Sequence, residues 1–192
     1  MTLRRSRMRH LERLFVIGAA AAVLRCGSSP SAPTGTPPPL STTRGTVIVQ
    51  VPDEGFNHVP EGSAVSYQHN PPASGPHYPF WARYGEYATP LARGYWVHNL
   101  EHGAVVFLYR PDTSSAVVTS LRDVFRALAP DRECGIPRAL LTPDPLMPRP
   151  IAVVAWDWVL DSDVVEPQAI NDFVAAHRGQ GREDICEGGN RP

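Results

Sequence analysis

A long stretch with little hydrophobic periodicity, residues 53–96, does most to limit what this chain can fold into. Segments of this length without regular structure are uncommon inside compact domains and are usually functional or disordered. Disordered tracts are poor in aromatic residues, whereas this stretch is rich in them. We therefore expect an ordered, irregular cap. Its aromatic residues are Phe56, Tyr67, Tyr78, Phe80, Trp81, Tyr84, Tyr87, Tyr95 and Trp96.

The rest of the chain has the patterns of a regular core. Runs of β-branched and apolar residues predict strands at 45–52, 103–110 and 150–160, and the shorter run at 138–143 is consistent with a fourth. The runs at 103–110 and 150–160 are apolar almost throughout. This pattern indicates burial on both faces or a place at the centre of a sheet.

Two helices are also predicted. The segment 113–129 has apolar residues at the spacing of one buried stripe. The segment 166–179 has Pro167 near its start and Gly179 at its end, which are helix start and stop signals. We expect an α+β fold: a single small domain whose short central β-sheet is packed by two helices, with the irregular cap, rich in histidine and aromatic residues, on one side.

The first 26 residues have the order of a secretory signal, because an arginine-rich start is followed by an apolar run at 14–24 and then by Cys26. A spanning helix needs about 20 apolar residues, so no permanent transmembrane anchor is expected. A cysteine at this place is where bacterial lipoproteins carry their lipid, although Arg25 departs from the small residue expected before it. Lipidation at Cys26 and ordinary export with cleavage nearby are the two alternatives.

Beyond this signal we expect a tether and then the globular domain. Residues 27–43 are rich in Pro, Ser and Thr, which is typical of a semi-extended linker, and residues 44–192 form the domain. With Cys26 set aside, Cys134 and Cys186 are an even pair, which in an oxidising compartment predicts a disulfide. Closing that loop would stabilise the fold by about 4 kcal/mol. Two free thiols are the alternative.

The charge of the chain argues against one class of partner. All 18 basic residues are arginines, and the part after Cys26 has 12 of them against 18 acidic residues. Nucleic-acid binding requires a basic face for the phosphates, and none is visible here. We therefore expect no nucleic-acid partner.

Histidines cluster in and just after the irregular stretch. His58, His69, His77, His98 and His102 fall within 45 residues, and imidazole is the commonest metal ligand. In a strand, His98 and His102 would lie about 13 Å apart, too far to share an ion. In a helical turn their Cβ atoms would be about 6 Å apart. The metal hypothesis therefore requires a helical turn or tight loop that ends at Gly103.

The segment 71–77, Pro-Pro-Ala-Ser-Gly-Pro-His, provides the best further ligand, because its prolines and Gly75 stiffen the turn that presents His77. The other two histidines of the stretch also precede prolines. We expect metal ligands in this order: His77, His98 and His102 first, and His69, His58 and Glu101 second.

Glu101 is open to three roles: metal ligand, general base, or the partner that orients a ligating imidazole. The string His-x-x-Glu-His has the form of an inverted zinc-peptidase motif. That motif needs a long helix, however, and Gly103 followed by a β-branched run would end a helix at once. In an ion-free alternative, the histidines and Glu101 hydrogen-bond the cap together.

Two elements of the chain resemble DUF3105, a bacterial domain family of unknown function. The first is Pro-Pro-x-Ser-Gly-Pro-His with a Gly-x-Tyr shortly after, and the second is His-x-Leu-Glu-His-Gly leading into a strand. The resemblance covers roughly residues 53–178 and implies an exported or membrane-anchored protein without assigning an activity. The Cys134 and Cys186 pair is not part of it. The residues that carry the resemblance are Pro71, Pro72, Ser74, Gly75, Pro76, His77, Gly85, Tyr87, His98, Leu100, Glu101, His102 and Gly103.

Together these features predict an exported or lipid-anchored protein of the cell envelope that binds copper or zinc through its histidine cluster. One alternative is a metal-dependent envelope hydrolase in which Glu101 activates a metal-bound water. Another is an ion-free module whose aromatic cap binds an envelope protein or a small ligand. The membrane would be a partner only through a lipid at Cys26.

Overall fold

A mixed β-sheet lies at the centre of the computed structural model, which describes residues 45–192. The predicted signal at 1–26, with Cys26, and the predicted linker at 27–43 lie outside the described residues. The strand order is β1-β6-β5-β3-β4-β2. In chain order the strands are β1 (Val47–Gln50), β2 (Gly85–Glu86), β3 (Val105–Tyr109), β4 (Ala139–Pro143), β5 (Ile151–Ala155) and β6 (Trp158–Ser162).

Three helices pack on this sheet within the described part of the chain: α1 (Arg93–Glu101), α2 (Ser115–Arg126) and α3 (Pro167–His177). The strand β4 runs parallel to both β2 and β3, whereas β3, β5, β6 and β1 pair antiparallel in that order. The result is a small α+β domain, as predicted, but with α1 in addition to the two predicted helices. Among these residues no helix is long and apolar enough to cross a membrane.

Alternate residues of β3 face two separate cores. Val106 and Leu108 pack with Trp96 and other residues of α1 and the cap. Phe107 packs with Phe173 and other residues of α2 and α3 on the opposite face. The strand is therefore buried on both sides, as its continuous apolar run predicts.

Both predicted helices are confirmed, with ends a few residues inside the predicted ones. Helix α2 begins after Ser114, whose hydroxyl oxygen accepts a hydrogen bond from the Val117 N–H. Helix α3 has Pro167 in its first turn. The predicted disulfide between Cys134 and Cys186 is also confirmed, with the two Cα atoms 5.1 Å apart.

The prediction of a single strand at 150–160 is wrong. The segment is a hairpin in which β5 and β6 are joined by a tight turn at Trp156 and Asp157. Asp157 takes the left-handed conformation, with φ of 60°, which aspartate tolerates better than most residues. No glycine, proline or asparagine marks the turn, so the apolar run conceals it.

The expected irregular cap covers the α1 side of the sheet. Between β1 and α1 the described chain forms only the short strand β2 and isolated backbone bridges. Tyr78 and Ala82 are nonetheless fully buried or nearly so. The cap is therefore an ordered, packed layer, which its aromatic content predicts.

Candidate metal centre

Helix α1 brings three of the predicted site residues to one place. His98 and Glu101 are three residues apart and lie on neighbouring turns of the helix. The helix ends at Glu101 with His102 as its C-cap, and Gly103 has φ of 79°, a left-handed conformation that favours glycine. This helical ending at Gly103 is the one that the metal hypothesis required.

The cap holds His77 opposite this helix. The Gly75 N–H donates to Gly55 O at 2.7 Å, and Gly75 has φ of 114°, which only glycine adopts readily. The Tyr67 hydroxyl donates to Pro76 O. The His77 N–H donates to Asn57 O, so the backbone beside His58 runs along that of His77 in a short parallel bridge. His58 is thus delivered to the site by pairing with the segment that carries His77.

Four side chains converge on one point between the cap and α1. His58, His77, His98 and Glu101 each offer one ligand atom, and these atoms all lie within 4.8 Å of one another. Glu101 Oε2 is 3.0 Å from His77 Nε2, 3.9 Å from His98 Nε2 and 4.0 Å from His58 Nε2. The side chains of His77, His98 and Glu101 are buried, whereas that of His58 is 51% exposed. His58 therefore marks the solvent side of the cluster.

Backbone carbonyls determine which ring nitrogen of the two buried histidines carries the proton. His77 Nδ1 lies 2.8 Å from Gly75 O and His98 Nδ1 lies 2.6 Å from Tyr78 O. A carbonyl oxygen can only accept, so each Nδ1 carries a proton and donates it. Burial lowers the pKa of His77 to about 4 and that of His98 to about 3. Both rings are therefore neutral at pH 7, and each directs an Nε2 lone pair into the cluster.

Glu101 meets these lone pairs with a carboxyl group that is itself costly to ionise. Burial, followed by the nearby charge of Glu183, raises the pKa of Glu101 to about 7. When ionised, the carboxylate and the His77 Nε2 lone pair are both acceptors at 3.0 Å. Such a contact is stable only with a cation between or beside the two atoms, either a proton or a metal ion.

His102 lies beside the four converging residues and faces a different pair of acceptors. Its Nε2 is 3.1 Å from His98 Nε2 and 3.3 Å from Glu183 Oε2. With Glu101 and Glu183 it forms a second group of possible metal ligands. Its Nδ1, however, is buried and has no hydrogen-bond partner in the described part of the chain, unlike the Nδ1 of most metal-ligating histidines.

Trp81 closes the cluster on one side. Its ring lies 4.9 Å from that of His98 and 4.4 Å from that of His102, measured between centroids. The Trp81 indole N–H donates to Glu187 O at 3.1 Å, which ties this wall to the C-terminal part of the chain. The imidazoles are therefore packed against an apolar surface that excludes water from their faces.

Not every predicted site residue is in this place. Of the six predicted residues, the structure brings together His58, His77, His98 and Glu101, places His102 beside them, and leaves out His69. The His69 Nδ1 donates to Pro71 O at 2.8 Å, and the backbone N–H of His69 donates to Glu54. Glu183 was not predicted, because it follows α3 in an irregular tail with no motif around it.

Comparison with known proteins gives a family and no activity. A family model described as a protein of unknown function, DUF3105, matches residues 58–188. The chain belongs to the DUF3105 family. No curated protein and no solved structure matches it. The part that matches DUF3105 begins at His58 and extends beyond Glu183, so it contains every residue of the histidine cluster as well as the predicted resemblance elements.

Proposed function

We propose that this DUF3105 chain binds one divalent zinc or copper ion through Nε2 of His58, His77 and His98 and the carboxylate of Glu101. One observation carries the proposal: the Nε2 lone pairs of His77 and His98 and Glu101 Oε2 converge in a buried place. A bound ion would satisfy all of these acceptors together. Hydrogen bonds from His77 Nδ1 to Gly75 O and from His98 Nδ1 to Tyr78 O fix the rings in the orientation that ligation needs.

The donor set favours zinc or divalent copper. It offers imidazole nitrogens and one carboxylate oxygen, a combination suited to both ions. Monovalent copper prefers thiolate and thioether sulfur, and the converging group contains neither. This set has His58 in place of the predicted first-rank ligand His102, because the Nε2 of His102 faces His98 and Glu183.

We place this function outside the cytosol. The Cys134–Cys186 disulfide suits an oxidising environment. The basic, apolar and small-residue order of positions 1–26 supports export. Attachment to the membrane through a lipid at Cys26 remains a prediction, which mass spectrometry of the membrane fraction would test.

The test is ion retention by the exported protein. Wild-type protein would be stripped with a chelator, loaded with Zn²⁺ or Cu²⁺, dialysed, and analysed for ions by elemental mass spectrometry. We expect close to one ion per chain. The His77→Ala/His98→Ala double variant should retain none, while His69→Ala, which removes a histidine of the same cap outside the cluster, should match the wild type. A wild type without ion, or a double variant that keeps it, would contradict the proposal.

A hydrolase remains the second candidate, and the environment of Glu101 favours it. Three histidines alone can hold a catalytic zinc ion, and a carboxyl group with a pKa of about 7 suits a general base near neutral pH. In that case Glu101 would activate an ion-bound water and would not bind the ion. The Glu101→Gln variant separates the two roles: it loses ion affinity if Glu101 is a ligand, and keeps it if Glu101 is a base.

A further inference from the structure

The C-terminal segment 179–192, here called the strap, lies directly on the end of helix α1. The Glu183 N–H donates to Glu101 O at 2.9 Å, and the Gly179 N–H donates to Gly103 O at 2.8 Å. A Cβ on Gly181 would be only 2.2 Å from Glu101 O and from Gly103 N, so glycine alone permits this approach. The disulfide at Cys186 ties the strap to the loop that contains Cys134.

This arrangement places the Glu183 carboxylate against His102. Glu183 Oε2 lies 3.3 Å from His102 Nε2, and the Glu183 side chain is 54% exposed while that of His102 is buried. Within residues 45–192, the buried His102 Nδ1 has no hydrogen-bond partner. A proton on Nδ1 would therefore be a buried donor without an acceptor, whereas a proton on Nε2 has two acceptors within reach. His102 is accordingly protonated on Nε2.

The nearer of these acceptors is the lone pair that an ion would need. His98 donates from Nδ1 to Tyr78 O, so its Nε2 can only accept, and the 3.1 Å contact is a hydrogen bond from His102 Nε2–H to His98 Nε2. An ion bound at His98 would take that lone pair. The His102 N–H would then require another acceptor, and Glu183 is already beside it.

We infer that Glu183 is a positioning residue that accepts the His102 N–H when an ion takes the lone pair of His98 Nε2, so that ion binding tightens the strap. This inference rests on the proposed ion site. It also gives His102 a role other than that of a ligand. In this exchange the hydrogen bond from His102 Nε2–H moves from His98 to Glu183, and no covalent bond changes.

The experiment compares Zn²⁺ affinity among four full-chain proteins by competition with a chelating dye. Glu183→Ala should weaken binding about tenfold or more, because the buried N–H loses its acceptor in the ion-bound state. Glu183→Gln should stay within about threefold of the wild type, because the amide oxygen still accepts. Glu187→Ala, at an exposed glutamate of the same strap, is the matched control and should equal the wild type.

Hydrogen exchange gives a readout that a purely structural role for Glu183 would not change. Adding Zn²⁺ should increase protection of the amides at 181–187 in the wild type and in Glu183→Gln, but not in Glu183→Ala. Equal Zn²⁺ affinity for Glu183→Ala and the wild type would overturn the inference. Glu183→Gln as weak as Glu183→Ala would also overturn it, because charge or direct ligation would then be responsible. A wild type that binds no ion would instead overturn the proposed function and this inference with it.

Discussion

Glu101 Oε2 lies 3.0 Å from His77 Nε2, although the imidazole donates from its other nitrogen and the carboxylate, once ionised, can only accept. The two residues are 24 positions apart and come from different parts of the fold, one from the stiffened turn of the cap and one from the end of helix α1. Two buried acceptors in contact are a cost to the ion-free protein. The same contact becomes favourable when an ion joins them.

Glu101→Gln should therefore change stability and ion binding in opposite directions. At pH 8 and without an ion, the ionised carboxylate of Glu101 destabilises the fold, because burial disfavours its charge. The same burial raises its pKa to about 7. The neutral amide should increase the free energy of unfolding by about 1 to 3 kcal/mol. Affinity for Zn²⁺ should fall at least about tenfold, since a charged ligand is lost. Urea unfolding in the presence of a chelator measures the change in stability, and a Zn²⁺ titration measures the change in affinity.

The matched control for this variant is Glu187→Gln, which removes an exposed charge from the strap and should alter neither quantity. If Glu101→Gln destabilises the ion-free chain at pH 8, the neighbouring acceptors are not in conflict there. If it binds Zn²⁺ as tightly as the wild type, Glu101 is not a ligand.

Asp161 on β6 should make stability depend on pH. Burial raises its pKa to about 6, and its buried Oδ1 has no hydrogen-bond partner among the residues that the structure describes. The folded protein therefore holds this proton over a range, from about pH 4 to 6, in which the unfolded chain has lost it. The cost of burying the ionised Asp161 carboxylate is absent below about pH 4 and complete above about pH 6 to 7. Asp161→Asn should thus stabilise the protein by about 1 to 2 kcal/mol at pH 8 and by nothing at pH 3.5.

Unfolding curves of both proteins from pH 3.5 to 8 test this prediction. Asp172→Asn, at an exposed position of α3, is the control and should show no such trend. A difference between Asp161→Asn and the wild type that is constant with pH would mean that Asp161 does not titrate differently in the folded and unfolded states.

The Cys134–Cys186 disulfide should stabilise both the fold and the strap. It spans 52 positions, and in the chain-entropy account a loop of that size contributes about 4 kcal/mol. The Cys134→Ser/Cys186→Ser variant should lose roughly this free energy of unfolding in urea. Wild-type protein treated with a thiol reductant should reach the same value. An unchanged unfolding midpoint in the double variant would show that packing alone holds the strap.

Gly181→Ala should displace the strap from helix α1. The added methyl group would be 2.2 Å from backbone atoms of Glu101 and Gly103, which cannot move without disturbing the helix end. We expect a loss of about 1 to 3 kcal/mol in the free energy of unfolding. Gly188→Ala is the comparison, because its methyl group would lie 3.2 Å from the Tyr84 ring and 3.3 Å from the Tyr84 backbone N, contacts that a small shift relieves. Thermal unfolding should therefore rank Gly181→Ala well below Gly188→Ala.

The sequence predicts most of the fold, because α2, α3 and the apolar strands follow local rules of capping and periodicity. Helix α1 is the exception, since only its last turn is indicated. Its residues from Trp96 to Glu101 are all buried, polar and apolar alike, so the sequence has no amphipathic stripe that would reveal the helix. The turn at Asp157 is hidden for a related reason, because both strands of the hairpin are apolar.

The site is predicted in part, and its limits have a clear physical origin. Spacing along the chain indicates that His98 and His102 share one face of a turn. It does not indicate which ring nitrogen faces the cluster, because that depends on carbonyls such as Tyr78 O, which tertiary structure supplies. The position of His58 in the site depends on backbone pairing with the His77 segment. The position of Glu183 depends on the path of the strap. Neither leaves a local pattern in the sequence.

The most direct test of the proposed metal site is a crystal structure of the Zn²⁺-loaded protein with anomalous scattering measured at the zinc edge. We predict one peak per chain, about 2.0 to 2.2 Å from Nε2 of His77, Nε2 of His98 and a carboxylate oxygen of Glu101, with His58 as the fourth ligand. A loaded, folded protein with no peak among these residues, or with its only peak elsewhere on the chain, would contradict the account.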